Sequence, residues 1–148
     1  MKYIKKIIAT IKNNKVVRRQ RAEVKARLMA DYVETTPIPN IYKVSFISRS
    51  GESYNKYNLY DVKENGYLFN RCKTSIKHLK YGLYFVRDHE KCDGIFDASA
   101  NCFVYPKTPS LYIRQLPTSK SDTILLESNY ELIVFNLKTK SVEFTTVV

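Results

Sequence analysis

The sequence predicts a mainly β protein: a compact antiparallel β-sandwich or small barrel, preceded by an N-terminal basic helical arm. Three observations predict it. Residues 41–148 divide into short alternating or apolar runs separated by polar turns, the pattern of strands. Glu64-Asn65-Gly66 places Asn-Gly, a strong two-residue hairpin signal, between two such runs. Upstream, Ile4, Ile7, Ile8 and Ile11 recur at helical spacing instead.

The arm comes first. Lys2, Lys5, Lys6 and Lys12 lie off the centre of the isoleucine stripe, and Asn13-Asn14 then weakens the helix because both residues favour caps and turns. A second helical segment is expected over residues 22–34. There Ala22, Val24, Ala26, Leu28, Met29, Tyr32 and Val33 spread over a wide apolar arc, while Glu23, Arg27 and Asp31 form a thin polar stripe. Thr35-Thr36-Pro37-Ile38-Pro39 stops it, since proline disfavours helix in the residue before it and donates no backbone hydrogen bond. Two units follow: residues 1–40, a basic arm with a proline linker, and residues 41–148, a β domain expected to fold without the arm.

Within the body, Ile41–Ser48 alternates, with Tyr42, Val44 and Phe46 on one face, and Arg49-Ser50-Gly51-Glu52 reads as a turn. Further strands are expected at residues 57–63, 67–70, 83–87, 102–105, 111–116, 123–127, 130–136 and 141–148. Each of the glycines, 51, 66, 82 and 94, falls at an expected turn, where positive φ is cheap. One helix is expected inside the body, because Cys72, Ile76 and Leu79 have helical spacing and Gly82 stands near a C-terminal cap.

Charge divides the chain as the pattern does. The formal net charge is +11, and residues 1–21 hold eight Lys/Arg and no acid. The remaining 17 basic and 14 acidic side chains leave the body nearly balanced. A basic arm of this kind meets polyanions, acidic protein surfaces or anionic membranes. The odd count of three cysteines argues for a reducing compartment over a disulfide framework. The run Ile7–Ile11 is too short for a secretory signal, and no small-residue cleavage site follows it, so a virion or the cytoplasm is the expected location. No apolar run approaches the roughly 20 residues of a membrane-spanning helix. Abundant Lys, Asn, Ile and Tyr suit an AT-rich genome such as many phages have.

Chemistry-bearing motifs are sparse. His89 and Cys92 have metal-ligand spacing, and Cys72 and Cys102 would complete a tetrahedral zinc site, but no CxxC pair is present. Asp88, Asp93 and Asp97 match no calcium-loop grammar. Only His78 and His89 could serve a nucleophile as base, and no glycine-rich phosphate loop exists. No metal, cofactor or enzymatic activity is expected. Tyr54, Tyr57 and Tyr60 interleave with a base, and Arg71, Lys73, Lys77, Lys80 and Arg87 form an acid-free basic stretch. On a small barrel these would stack on and track single-stranded nucleic acid. In the alternative, the tyrosines pack along sheet faces with their hydroxyls solvated.

A basic helical arm joined to a compact β body is similar in architecture to accessory proteins of viral and phage particles. In those proteins the arm inserts between neighbouring subunits. The resemblance carries no site residue. The sequence thus favours a non-enzymatic structural protein. Its arm would bury Ile4, Ile7, Ile8, Ile11, Leu28 and Met29 in other protein subunits of a larger assembly such as a phage virion, steered by Arg18, Arg19 and Arg21. A nucleic-acid-binding protein using the arm and the Tyr54–Tyr60 region is the runner-up, and attachment to a membrane surface ranks behind both.

Overall fold

The N-terminal arm is one unbroken helix, α1, Lys2–Leu28. These features come from a computed structural model that describes residues 2–49, 54–89, 91–108 and 110–147. The expected weakness at Asn13-Asn14 does not interrupt the helix. Each asparagine costs at most about 0.7 kcal/mol, and a helix already nucleated on both sides propagates through such residues.

The helix ends six residues earlier than its apolar arc suggested. Met29 takes a left-handed conformation (φ 54°), its N–H bonds the Ala26 carbonyl, and the Ala30 N–H reaches back to Lys25. This is a Schellman cap with methionine where glycine is usual. The chain then turns into a strand. Asp31 is no longer part of a helical stripe: its carboxylate accepts the Ile47 N–H at 2.7 Å and pairs with Arg49 at 2.9 Å. Tyr32 and Val33, read as helical, start strand β1, Tyr32–Thr35.

Strands β2 (Ile41–Phe46), β3 (Lys56–Asp61) and β4 (Gly66–Tyr67) join β1 in an antiparallel sheet ordered β1-β2-β3-β4. Val33 pairs with Val44 and Thr35 with Tyr42, so Thr36–Asn40 is the turn of a hairpin within one sheet. The Thr36 hydroxyl holds that turn by donating to the Ile41 carbonyl at 2.7 Å. Tyr42, Val44 and Phe46 share the expected face, where they pack with Tyr60, Val24, Ala30 and Val33. The turn expected at residues 49–52 falls largely outside the described residues.

A second sheet, β5-β6-β7-β8, holds Ser75–His78, Leu83–Asp88, Lys91–Asp97 and Cys102–Tyr105. The helix expected at Cys72–Leu79 is β5 instead. Ile76 faces the first sheet and Leu79 the third, an opposition that strand geometry provides and a helical stripe does not. Gly82 does mark a turn, but a hairpin turn: Tyr81 (φ 56°) and Gly82 (φ 72°) are both left-handed, the signature of type I′. Gly94 is not in a turn. It lies inside β7 at φ 120°, next to a bulge, and the β6–β7 connection passes through His89.

The third sheet is ordered β12-β11-β10-β9, from Ser141–Val147, Glu131–Asn136, Thr123–Glu127 and Tyr112–Gln115. Two apolar layers glue the three sheets together. Ile41, Leu59, Ile76, Tyr84, Val86 and Phe96 fill the first, and Leu83, Phe85, Ile95, Ile124, Leu126, Ile133 and Phe135 fill the second. The order is therefore helix, first sheet, second sheet, third sheet. The fold is mainly β with one N-terminal helix, as expected, but it is a three-sheet stack. Among the described residues no sheet closes into a barrel. The run Leu83-Tyr84-Phe85-Val86 is apolar throughout because β6 is covered on both faces.

Asp97 ties the second sheet to the third. Its carboxylate is 1% exposed, meets the Lys140 ammonium, and accepts N–H bonds from Ser99 and Ala100 at 3.0 and 3.3 Å. Burial pushes this carboxyl up, but Lys140, the Ser99 hydroxyl and the Ala100 N–H outweigh it and hold it below the usual carboxylate value. A depressed folded-state value means that the stabilisation is present above an unfolded value of about 3.9 and is lost as pH falls through the folded value. Lys140→Met removes the cation and keeps the stem. It should cost about 1–3 kcal/mol at neutral pH and move the acid-unfolding midpoint to higher pH. An unchanged midpoint in a circular-dichroism pH titration would show that the pair does not set acid stability.

Candidate interaction surface

The first 15 described residues of α1, 2–16, are all exposed, about 22 Å of helix at 1.5 Å per residue, although Asn13 and Val16 border a groove with the Thr36–Asn40 turn. Packing begins at Val17 and Gln20 and continues through Val24 and Leu28, one narrow stripe. Gln20 is fixed by the Tyr42 hydroxyl, which donates to its Oε1 at 2.6 Å.

The isoleucine stripe points elsewhere. At about 100° per residue, its centre lies roughly 145° around the helix from the Val17–Leu28 stripe. Extending α1 along its own sheet would therefore leave the isoleucines facing away. Ile4, Ile7, Ile8 and Ile11 are 59, 44, 47 and 50% exposed, with Tyr3 beside them. Tyr3, Lys6, Ile7, Thr10 and Ile11 line a shallow groove of about 330 Å³.

The other residues expected to bind partners are placed differently. Leu28 packs partly against the protein's own core, so it offers a partner only a remnant of its surface. Met29 is 84% exposed, displaced outward by the helix cap. Arg18, Arg19 and Arg21 are exposed, and Arg18 and Arg21 border a groove with Ala22, Lys25, Tyr32, Val33 and Glu34.

The structure does not bring the expected nucleic-acid residues together on one face. Tyr57 packs toward the second sheet, with Lys43 5.0 Å from its ring centroid. Tyr60 is buried toward α1, and its hydroxyl donates to Asn65. Lys73 pairs with Asp93 at 2.7 Å, Lys80 donates to the Ser121 carbonyl at 2.6 Å, and Arg87 donates to the Leu111 carbonyl at 2.5 Å. These three join strands to neighbouring segments. Lys77 is exposed on β5. Tyr54 and Arg71 do converge, in a cleft of about 620 Å³ with Lys56, Cys72, Thr74, Asp88 and His89. Lys56, Thr74 and Asp88 could not have been named for that cleft from sequence, because three separate segments form it.

The cysteines and histidines are dispersed. Cys92 is sealed in the second apolar layer, where burial pushes its thiol up and disfavours the nucleophilic thiolate. Cys72 is half-buried, and Cys102 is exposed. Burial lowers His78, whose ring lies 5.1 Å from that of Tyr84. Of the aspartates considered for calcium, Asp93 and Asp97 are engaged by Lys73 and Lys140. Among the described residues, no three His, Cys, Asp or Glu side chains are placed to hold one metal ion. Among them, too, no helix is long and apolar enough to cross a membrane. No protein-family model matches the sequence, and no curated protein sequence matches it.

Proposed function

We infer that the protein is a non-enzymatic interaction protein, whose projecting helix docks a rigid stack of sheets into a larger assembly. The observation that carries this reading is the isoleucine stripe, exposed and turned away from the protein's own body. The assembly we propose is a phage particle, with the protein as an auxiliary capsid or neck component. The composition and the arm-plus-β architecture support that choice.

Energetics favour a multivalent setting. Complete burial of an isoleucine is worth about 1.5–3 kcal/mol, and about half of each surface is still available. The four together then yield about 3–6 kcal/mol, against an association cost of about 4–15 kcal/mol. One arm is thus a weak anchor, and repeated copies or further contacts from Tyr3 and the basic side chains complete the binding. Nucleic acid enters as a weak, non-specific ligand of the basic segment.

The test places a photo-crosslinking residue at position 8 in cells that produce the assembly. One dominant protein adduct is expected. Ile7→Asp and Ile11→Asp should each abolish it, because a charge would enter an apolar contact. Their unfolding free energies should stay within about 0.5 kcal/mol of the original chain. Single lysine-to-alanine changes in the arm should leave the adduct largely intact. If the aspartate variants unfold, the stripe packs on its own body. If single lysines matter more than isoleucines, the arm is an electrostatic tether.

A further inference from the structure

The cleft between the start of β3, residues 71–74 and the end of β6 is a built site. Its floor is held by reciprocal backbone hydrogen bonds between Tyr57 and Lys73, at 2.8 and 2.7 Å. The Thr74 N–H donates to the Arg87 carbonyl at 3.1 Å, and the His89 N–H donates to the Thr74 hydroxyl oxygen at 2.6 Å. Three segments distant in sequence are thereby fixed against each other.

The walls combine two kinds of chemistry. Tyr54 is 56% exposed and meets His89 edge to face at 5.3 Å, which leaves ring surface available for stacking. Arg71 supplies positive charge, and Asp88 is the one acid among the described lining residues. Arg71 is exposed and has no ion-pair partner among the described residues. A guanidinium suits bidentate binding of phosphate oxygens, an aromatic face suits a planar base, and the Asp88 carboxylate suits a sugar hydroxyl or an exocyclic amine. At about 620 Å³ the space is that of a small-molecule site.

We propose that this cleft binds a nucleoside phosphate, with the base against Tyr54 and the phosphate on Arg71. The site is distinct from the arm and does not depend on its docking. Tyr57 and Tyr60 do not line it and face opposite layers, so the three tyrosines form no continuous track for a strand.

The experiment titrates AMP, adenosine and inorganic phosphate separately into the isotope-labelled full chain at physiological salt, followed by amide chemical shifts. AMP should perturb Thr74, His89 and their neighbours, and should bind at least about tenfold tighter than either fragment. Arg71→Glu and Tyr54→Ala, both at exposed positions, should each weaken AMP by about tenfold or more. Phosphate or adenosine alone binding as well as AMP would overturn the proposal. So would shifts confined to residues 2–21, AMP affinity unchanged in both variants, or no binding at millimolar AMP.

Discussion

A chain beginning at Ile41 is expected to be unfolded or aggregated, whereas one beginning at Val17 is expected to unfold cooperatively. The division at the prolines suggested that residues 41–148 would fold alone. The strand pairing changes that expectation. Removing residues 1–40 deletes β1, the edge partner of β2, together with buried Val24, Ala30 and Val33. Tyr42, Val44 and Tyr60, now buried, would face water, and β2 would become an open apolar edge. Loss of three buried aliphatic side chains alone is worth about 5 kcal/mol or more, a large share of the roughly 5–15 kcal/mol that stabilises a domain. The chain from Val17 keeps the whole of the packed stripe and loses only exposed helix. Circular dichroism and denaturant titration of the two chains decide the matter. A sharp, β-rich transition from the Ile41 chain would show that α1 and β1 are accessories to the fold.

Gly94→Ala is expected to be the most damaging single substitution in the second sheet. A Cβ at this position would lie 2.1 Å from the Tyr105 carbonyl oxygen and 3.2 Å from the Pro106 carbonyl carbon. Both are backbone atoms, so no side-chain rotation relieves the overlap. The φ of 120° adds a conformation that L-residues rarely adopt, and β7 and β8 would have to separate beside the bulge. The cost should be at least about 3 kcal/mol. In a chain of this size that lowers the thermal midpoint by about 10 °C. Gly66→Ala serves as the control, since its Cβ would meet only the Glu64 carbonyl oxygen, at 3.9 Å. Equal midpoints for the two variants would mean that the β7–β8 approach is readily widened.

Sequence reading was strongest where local signals and tertiary packing agree. The third sheet shows this best: the expected 123–127 coincides with β10, and the described ends of its neighbours fall within one residue of the expected bounds, because polar turns flank apolar alternation there. It failed where the fold overrides local preference. β7 carries Asp93 in a bulge and begins beside a polar turn, so the sequence suggests a turn at Gly94 where the strand Lys91–Asp97 runs. β5 is held by pairing with β6, a long-range contact that its own residues do not announce. β1 was absorbed into the preceding helix because Tyr32 and Val33 fit both periods, and the Schellman cap was masked by a methionine in glycine's place. The arm was legible because its isoleucines need only helical periodicity to share a face. The cleft was not, because it depends on three segments brought together by the sheets.

The placement of α1 also has a mechanical consequence. One end of the helix is gripped by the body, and the other carries the apolar stripe about 9–20 Å beyond Val17, so α1 acts as a lever arm. A pull on the stripe is transmitted first to the Val17–Leu28 contacts and then to β1, the outermost strand of its sheet. The central sheet is clamped on both faces, and the third sheet lies furthest from that load path. Under tension the helix and β1 form the part that yields first, peeling as a unit while the two apolar layers between the sheets stay closed.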